Sequence, residues 1–329
     1  MKVLTVTNLY PTAEQPRLGR FVHDQVEALR GLGVDVDLFT FPLGARSYLR
    51  AVKPLREVLA GQSFDVVHAH YGLCGWTAAR AGASPLVVTF HGTDVRHPAS
   101  GRVSRRLLKK LDLAAGASRS IFAEEGGRPG LAPPRGRAAV LPCGVDTGRF
   151  APADRAEARR RLGLDPGGRY LFFPADPERP VKRGDLAAEV AHLAEAELLS
   201  AGEIAPEQMP DYVNASSAVL VTSESEGFGL AVLEALACRV PVLSTPVGIA
   251  PLVLDGLEGC LVADFDAEKW AELARAHLAS PDPRVGGDWG AATFSASRMA
   301  ARVLAAYRGL AAGTNPAALS PTLRDDERR

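Results

Sequence analysis

Residues 223–236 read SESEGFGLAVLEAL and set two glutamates, Glu226 and Glu234, eight positions apart around a Gly-Phe-Gly run. The apolar AVLVT before them and the helical spacing after them predict a strand, a glycine turn and a helix over 228–238. A helix start leaves backbone N–H groups without intrahelical partners, so those of Gly227, Phe228 and Gly229 would form a site for an anion or a hydroxyl. Glycine there lets a ligand approach the backbone closely. Eight residues of helix rise about 12 Å, the span from a hexose across a diphosphate to a ribose. One carboxylate could accept hydrogen bonds from sugar hydroxyls and the other from ribose hydroxyls, with the helix start facing the phosphates. The competing reading is that Glu226 is favoured by the positive helix end while Glu234 sits on a solvated face.

Two further stretches carry chemistry. FFPADPERPVKR follows a strand and supplies Arg179, Lys182 and Arg183; an ammonium at a strand end can neutralise a departing diphosphate. The competing reading for this charged loop is a solvated turn. His91 ends the strand LVVTF and leads into Gly92, Thr93 and Asp94. His68 and His70, within DVVHAHYG, are expected to be structural and fixed by neighbouring backbone carbonyls.

These residues need elements to hold them. Apolar runs at 2–8, 34–41, 64–69 and 86–90 read as strands, with helices over 20–32 and 73–81. A second run of strands and helices covers 170–244. Alternating strands and helices imply an α/β fold with parallel sheets covered on both faces, and open α/β sheets bind ligands beyond the C-terminal ends of their strands. The reading gives an N-terminal Rossmann-like domain over 1–150, a linker over 151–168, a C-terminal Rossmann-like domain over 169–296, a helix over 297–312 packing back on the first domain, and a disordered tail over 313–329. At 329 residues, two domains of ordinary size are expected.

Lysines plus arginines number 38, as do aspartates plus glutamates, so no bulk charge recruits nucleic acid or an anionic membrane. The four cysteines, Cys74, Cys143, Cys238 and Cys260, show no metal-ligand spacing and read as reduced thiols of a cytoplasmic protein. Neither a signal segment nor a span long enough for a bilayer is apparent.

The motifs taken together resemble the retaining glycosyltransferases of the GT-B fold that carry an E-x7-E signature, the family-4-like group. The resemblance rests on EGFGLAVLE at 226–234, the ALACRVPVLSTPVGIAPLVLDGLEGCLV that follows, DVVHAHYG at 65–72, VVTFHGTD at 87–94 and LPCGVDTGRF at 141–150. It implies two doubly wound Rossmann-like domains facing an interdomain cleft. It also implies hexosyl transfer from a nucleoside-diphosphate sugar to a hydroxyl of a sugar or lipid-linked acceptor, with retention of anomeric configuration and with departing diphosphate assisting acceptor deprotonation. On this resemblance Glu226 and the backbone of Gly227, Phe228, Gly229 and Leu230 contact the donor, Glu234 binds the ribose, and Lys182 grips the diphosphate. Arg179 or Arg183 supplies a second cation. His91 would lie beside the transferring sugar, Asp94 would order its loop or bind acceptor, and Gly19, with Arg20 next to it, would belong to the loop over the phosphates. No cofactor and no obligatory metal are expected. No carboxylate pair at glycosidase-like positions points to hydrolysis by double displacement.

The chain departs from the family pattern between Lys182 and Glu226, a short span expected to trim the nucleotide pocket. Leu252 and Arg239 stand where a glutamate and a glycine are usual. The compact form is similar to members that build cell-envelope polysaccharide or glycolipid. A non-catalytic sugar-nucleotide-binding protein and a GT-B sugar-nucleotide 2-epimerase are the alternatives; no GxGxxG follows the first strand to support a dehydrogenase. Residues 101–116, GRVSRRLLKKLDLAAG, are a candidate for peripheral contact with an anionic membrane at its inner face, against the reading of a surface helix packing its leucines inward.

Overall fold

The computed structural model describes residues 1–124, 129–134, 136–202, 204–286 and 288–313. The expected tail therefore lies outside the described residues beyond Gly313. The chain divides into two compact units, Met1–Gly144 with the segment from Ala296 onward, and Val145–Ser295.

The first unit is built on a parallel sheet of six strands. They are β1 (Lys2–Thr7), β2 (Asp35–Thr40), β3 (Val66–His70), β4 (Leu86–Phe90), β5 (Leu113–Gly116) and β6 (Ala138–Val140), in the order β2-β1-β3-β4-β5-β6. Strands β3 and β4 are buried throughout, as near-continuous apolar runs must be when both faces are covered. Side chains alternate between the faces. Leu4, Val67, Val88 and Phe90 join one core with Leu55 and Leu107; Val3, Val66, Val87 and Leu113 join the other with Val26, Leu29, Val303 and Tyr307. The second core thus includes the helix Ala296–Ala311, which packs on the helix Arg20–Gly31.

The second unit carries a parallel sheet of five strands, β7 (Tyr170–Phe173), β8 (Glu197–Ser200), β9 (Ala218–Val221), β10 (Val242–Ser244) and β11 (Leu261–Val262), ordered β11-β10-β9-β7-β8. Its core gathers Leu171, Phe173, Leu220 and Leu243 around the fully buried Trp270. The stretch expected to be a linker contains the helix Arg155–Arg161, capped by Asp154, whose carboxylate accepts from Glu157 N at 2.7 Å. That helix packs on Met209–Ala215, and Arg161 Nη2 meets Asp211 at 2.6 Å. Residues 151–168 accordingly belong to the second unit.

Residues 101–116 are not one helix. The helix Pro98–Leu107 and a short turn Leu108–Lys110 precede β5. Leu107, Leu108 and Leu111 are buried in the first unit's core, so the apolar side that a membrane would need faces inward, leaving Arg102, Arg106, Lys109 and Lys110 exposed. All four cysteines are free, Cys74 and Cys238 buried. Among the described residues no helix is long and apolar enough to cross a membrane.

Candidate active site

Strand registry assembles the first unit's cluster. In β3, His68 and His70 lie two residues apart and so share a face; His70 pairs in register with Thr89 of β4, and β4 ends one residue before His91. The neighbouring strand ends therefore deliver His70, Tyr71 and His91 together. The His91 ring lies 4.7 Å from those of Phe21 and Tyr71 and stacks on His70 at 5.4 Å. His70 Nδ1 is 3.2 Å from His91 Nε2.

Asp94 ties the loop down. Its carboxylate accepts from the backbone N–H of His91 and Gly92 at 3.0 Å each and from that of Gly72 at 2.9 Å, joining the turn after β4 to the helix Gly72–Ala81 that follows β3. Burial pushes the carboxyl up to about 6, with these N–H donors working in the opposite sense. Burial likewise lowers all three imidazoles, His70 to about 3, His68 and His91 well below the usual value, with like-charge repulsion from His70 adding to the last two. All three are neutral at pH 7.

The expectation that backbone carbonyls fix His68 and His70 is corrected. Side chains hold them: His68 Nδ1 is 2.6 Å from Tyr307 Oη and its Nε2 2.7 Å from Thr89 Oγ1, and Gln25 Nε2 lies 3.4 Å from both His68 Nδ1 and His70 Nε2. Neither Gln25 nor Tyr307 carried a sequence signal, since they stand 43 and 239 positions from His68. Gly19 caps the helix Arg20–Gly31 at φ 63°, and a Cβ there would sit 2.0 Å from Leu9 O. Only glycine allows this contact. Arg20 Nε donates to Asp24 Oδ1 at 2.9 Å within the same helix.

In the second unit, the loop after β7 is bolted to the end of β9. Thr222 Oγ1 lies 3.0 Å and 2.8 Å from the Lys182 and Arg183 carbonyls, and Glu224 N donates to Val181 O at 2.9 Å. This brings Lys182 Nζ to Glu226 Oε1 at 2.5 Å, and Ser223 Oγ donates to the same oxygen at 2.7 Å. The pair is largely buried, at 16% and 14% side-chain exposure, so its charges are far less screened than those of a surface pair.

The two arginines differ. Arg183 is engaged with Asp185 at 2.8 Å and Glu224 at 3.3 Å, whereas Arg179 is exposed and makes no ion pair among the described residues. The helix expected over 228–238 runs Leu230–Ala237, because Gly229 takes φ 87° at its N-cap. Of the eight steps between the glutamates, only those from Leu230 to Glu234 are helical, about 6 Å of rise. The remainder is turn, fixed by Phe228, which is buried against Phe294 and accepts from Ile249 N at 2.7 Å. A Cβ on Gly229 would make ordinary van der Waals contact with Ile249 and Glu226, at 3.7 Å and beyond, so it is the positive φ and not crowding that calls for glycine here.

Glu234 has a neighbour that the sequence reading missed. Arg149 Nη2 lies 4.0 Å from Glu234 Oε1, and its guanidinium stacks over Phe150 at 4.7 Å. Arg149 stands within LPCGVDTGRF, where the residue type alone gave no hint of a partner.

Two family models match the chain: "Glycosyltransferase Family 4" over 18–149 and "Glycosyl transferases group 1" over 176–280. Among curated relatives, D-inositol 3-phosphate glycosyltransferase of Frankia alni is 33% identical over 303 residues, 74% of each chain. That of Actinosynnema mirum is 33% identical over 310 residues, 74% of this chain and 72% of the relative. Among solved structures, sucrose-phosphate synthase of Thermosynechococcus elongatus superposes with TM-score 0.73 at 19% identity, over 95% of this chain and 99% of that one. Anabaena HepE in complex with UDP and glucose gives 0.67 at 16%, over 92% and 98%. The folds define a GT-B protein of two parallel-sheet Rossmann-like domains, and the chain belongs to the family-4, group-1 glycosyltransferases.

Proposed function

We propose that this glycosyltransferase moves a hexose-type sugar from a nucleoside-diphosphate sugar to a hydroxyl acceptor with retention, in the building of cell-envelope polysaccharide or glycolipid. The Lys182–Glu226 pair carries the reading, because it sets a cation for a departing diphosphate beside a carboxylate for sugar hydroxyls at the ends of β7 and β9. In the reaction, Lys182 and Arg179 neutralise the charge that develops as the glycosidic C–O bond breaks. A phosphate oxygen takes the acceptor proton, and the acceptor oxygen bonds to the anomeric carbon on the face the diphosphate leaves. Glu234 accepts from ribose hydroxyls, and Arg149 beside it fixes the carboxylate. The backbone of Gly227, Phe228, Gly229 and Leu230 approaches the donor. His91, in a loop ordered by Asp94, donates to the transferring sugar, and Gly19 shapes the loop over the phosphates. Protein cations fill the role that a divalent metal plays elsewhere, so turnover should survive EDTA.

A phosphorylated polyol is the second reading of the acceptor, favoured by the names of the relatives. The exposed cations Arg102, Arg106, Lys109 and Lys110 are proposed to make an electrostatic contact with an anionic inner membrane surface, without insertion. The test is thermal stabilisation of the wild type and Glu234→Ala by a panel of nucleoside diphosphates and their sugars. It is followed by product analysis with inositol phosphate and lipid-linked acceptors. Stabilisation by one nucleotide, lost in the variant, and acceptor-dependent turnover are expected. Turnover of donor to an isomer without acceptor would establish the epimerase, and binding without turnover the binding protein.

A further inference from the structure

We infer that Gln25 and His70 are positioning residues for His91, fixing the proton of its ring on Nδ1 through a buried chain of side chains that begins at Tyr307. The inference rests on the reading of His91 as the donor to the transferring sugar. A neutral imidazole has one N–H and one acceptor nitrogen, and which is which follows from its partners. Gln25 Nε2 carries two N–H groups and no lone pair to offer. It faces His68 Nδ1 and His70 Nε2 at 3.4 Å each, so both of those nitrogens are acceptors.

The rest of the chain follows step by step. With His70 Nε2 accepting, the His70 proton sits on Nδ1 and is donated across 3.2 Å to His91 Nε2. His91 Nε2 is then an acceptor, and its own proton must sit on Nδ1. At the other end the Tyr307 hydroxyl proton, at 2.6 Å, takes the single lone pair of His68 Nδ1, which the Gln25 N–H at 3.4 Å only shares, and His68 Nε2–H donates to Thr89 Oγ1 at 2.7 Å. Every ring nitrogen of His68 and His70 is used, and no donor faces a donor.

His91 is the open end. Its Nε2 is taken by His70, its ring is held between Phe21, Tyr71 and His70, and its Nδ1 has no hydrogen-bond partner among the described residues. One donor, of fixed position, is thereby offered to a ligand oxygen. Were Gln25 to present its carbonyl instead, each bond would reverse and His91 would offer a lone pair to a ligand hydroxyl.

The experiment is a long-range 1H–15N correlation on full-length protein labelled at histidine nitrogen, with the His91 signals assigned by their loss in His91→Ala. Protons on Nδ1 of His91 and His70 and on Nε2 of His68 are expected; the reverse set overturns the inference. Gln25→Leu should mix the His91 tautomers and lower kcat about tenfold while KM for the nucleotide sugar stays within about twofold. A tautomer change with kcat intact would leave the chain a core network only and overturn the positioning role. His70→Gln, which keeps an N–H for His91, should retain kcat within about threefold, and His70→Phe should not. Equal loss in both variants counts against positioning. A wild type without transferase activity would sink the proposed function, and the tautomer measurement would still decide the direction of the chain.

Discussion

Lys182 and Glu226 neutralise each other across 2.5 Å, which makes the two halves of their proposed role separable. Glu226→Gln keeps the shape of the side chain and removes the charge that competes with phosphate for the ammonium. A pair this largely buried exceeds the ~1 kcal/mol of exposed ion pairs, so nucleoside-diphosphate binding should tighten by at least about fivefold. Transfer should nevertheless fall about 100-fold, because a carboxylate that binds sugar hydroxyls has become a neutral amide. Calorimetric titration and initial rates read the two effects independently. A loss of diphosphate affinity together with turnover would mean that Lys182 does not hold the phosphates. Lys182, Glu226 and Glu234 were legible in the sequence because spacing and strand ends mark them. Arg149 and Gln25 were not, since their meaning depends on partners that only the folded chain supplies.

At the level of elements, β3 and β4 could be read directly as short apolar runs. Strand β5, LAAG, could not: it has no β-branched residue, and its strand state comes from pairing with β4 between covered faces. Cationic residues just before it suggested one long amphipathic helix instead. The same β3 alternation that buries Val67 and Ala69 on one face buries His68 and His70 on the other, with a consequence for pH. The folded pKa values of His68, His70 and His91 lie below the ordinary 6.5. Their contribution to stability is therefore present above pH 6.5 and is lost as pH falls toward the folded values, about 3 for His70. Each such histidine is worth about 1.4 kcal/mol per pH unit in that range. Asp94 has the opposite sign: raised to about 6, it favours the fold at low pH and loses that contribution as pH rises through about 6. Three histidines outweigh one carboxylate, so the ends of β3 and β4 should exchange amide hydrogens faster at pH 5.5 than at pH 7.5, after correction for intrinsic rates. In the second unit His277 is the one histidine shifted down among the described residues, and β7 and β9 should change less. Equal change in both units would refute the assignment.

For the whole molecule, the chain order and the packing order differ. The second unit, Val145–Ser295, is one continuous segment with its own sheet and core. The first is discontinuous: Met299, Val303, Leu304 and Tyr307 of the last helix are buried in the core that covers one face of its sheet. Fully burying such side chains contributes about 2 kcal/mol each, so the four together rival the ~5–15 kcal/mol of a domain's entire stability. Removing the helix also takes the Tyr307 hydroxyl from His68 Nδ1, leaving that buried ring nitrogen only the longer Gln25 contact of 3.4 Å. Residues 145–295 expressed alone should therefore unfold cooperatively on heating, whereas 1–144 alone should lack a cooperative transition. A peptide of residues 296–313 added to 1–144 should restore one, with a midpoint that rises with peptide concentration, as any ligand of the folded form must produce. A cooperative transition in 1–144 without the peptide would show that the sheet and its remaining helices suffice, and that the last helix only covers a core already formed.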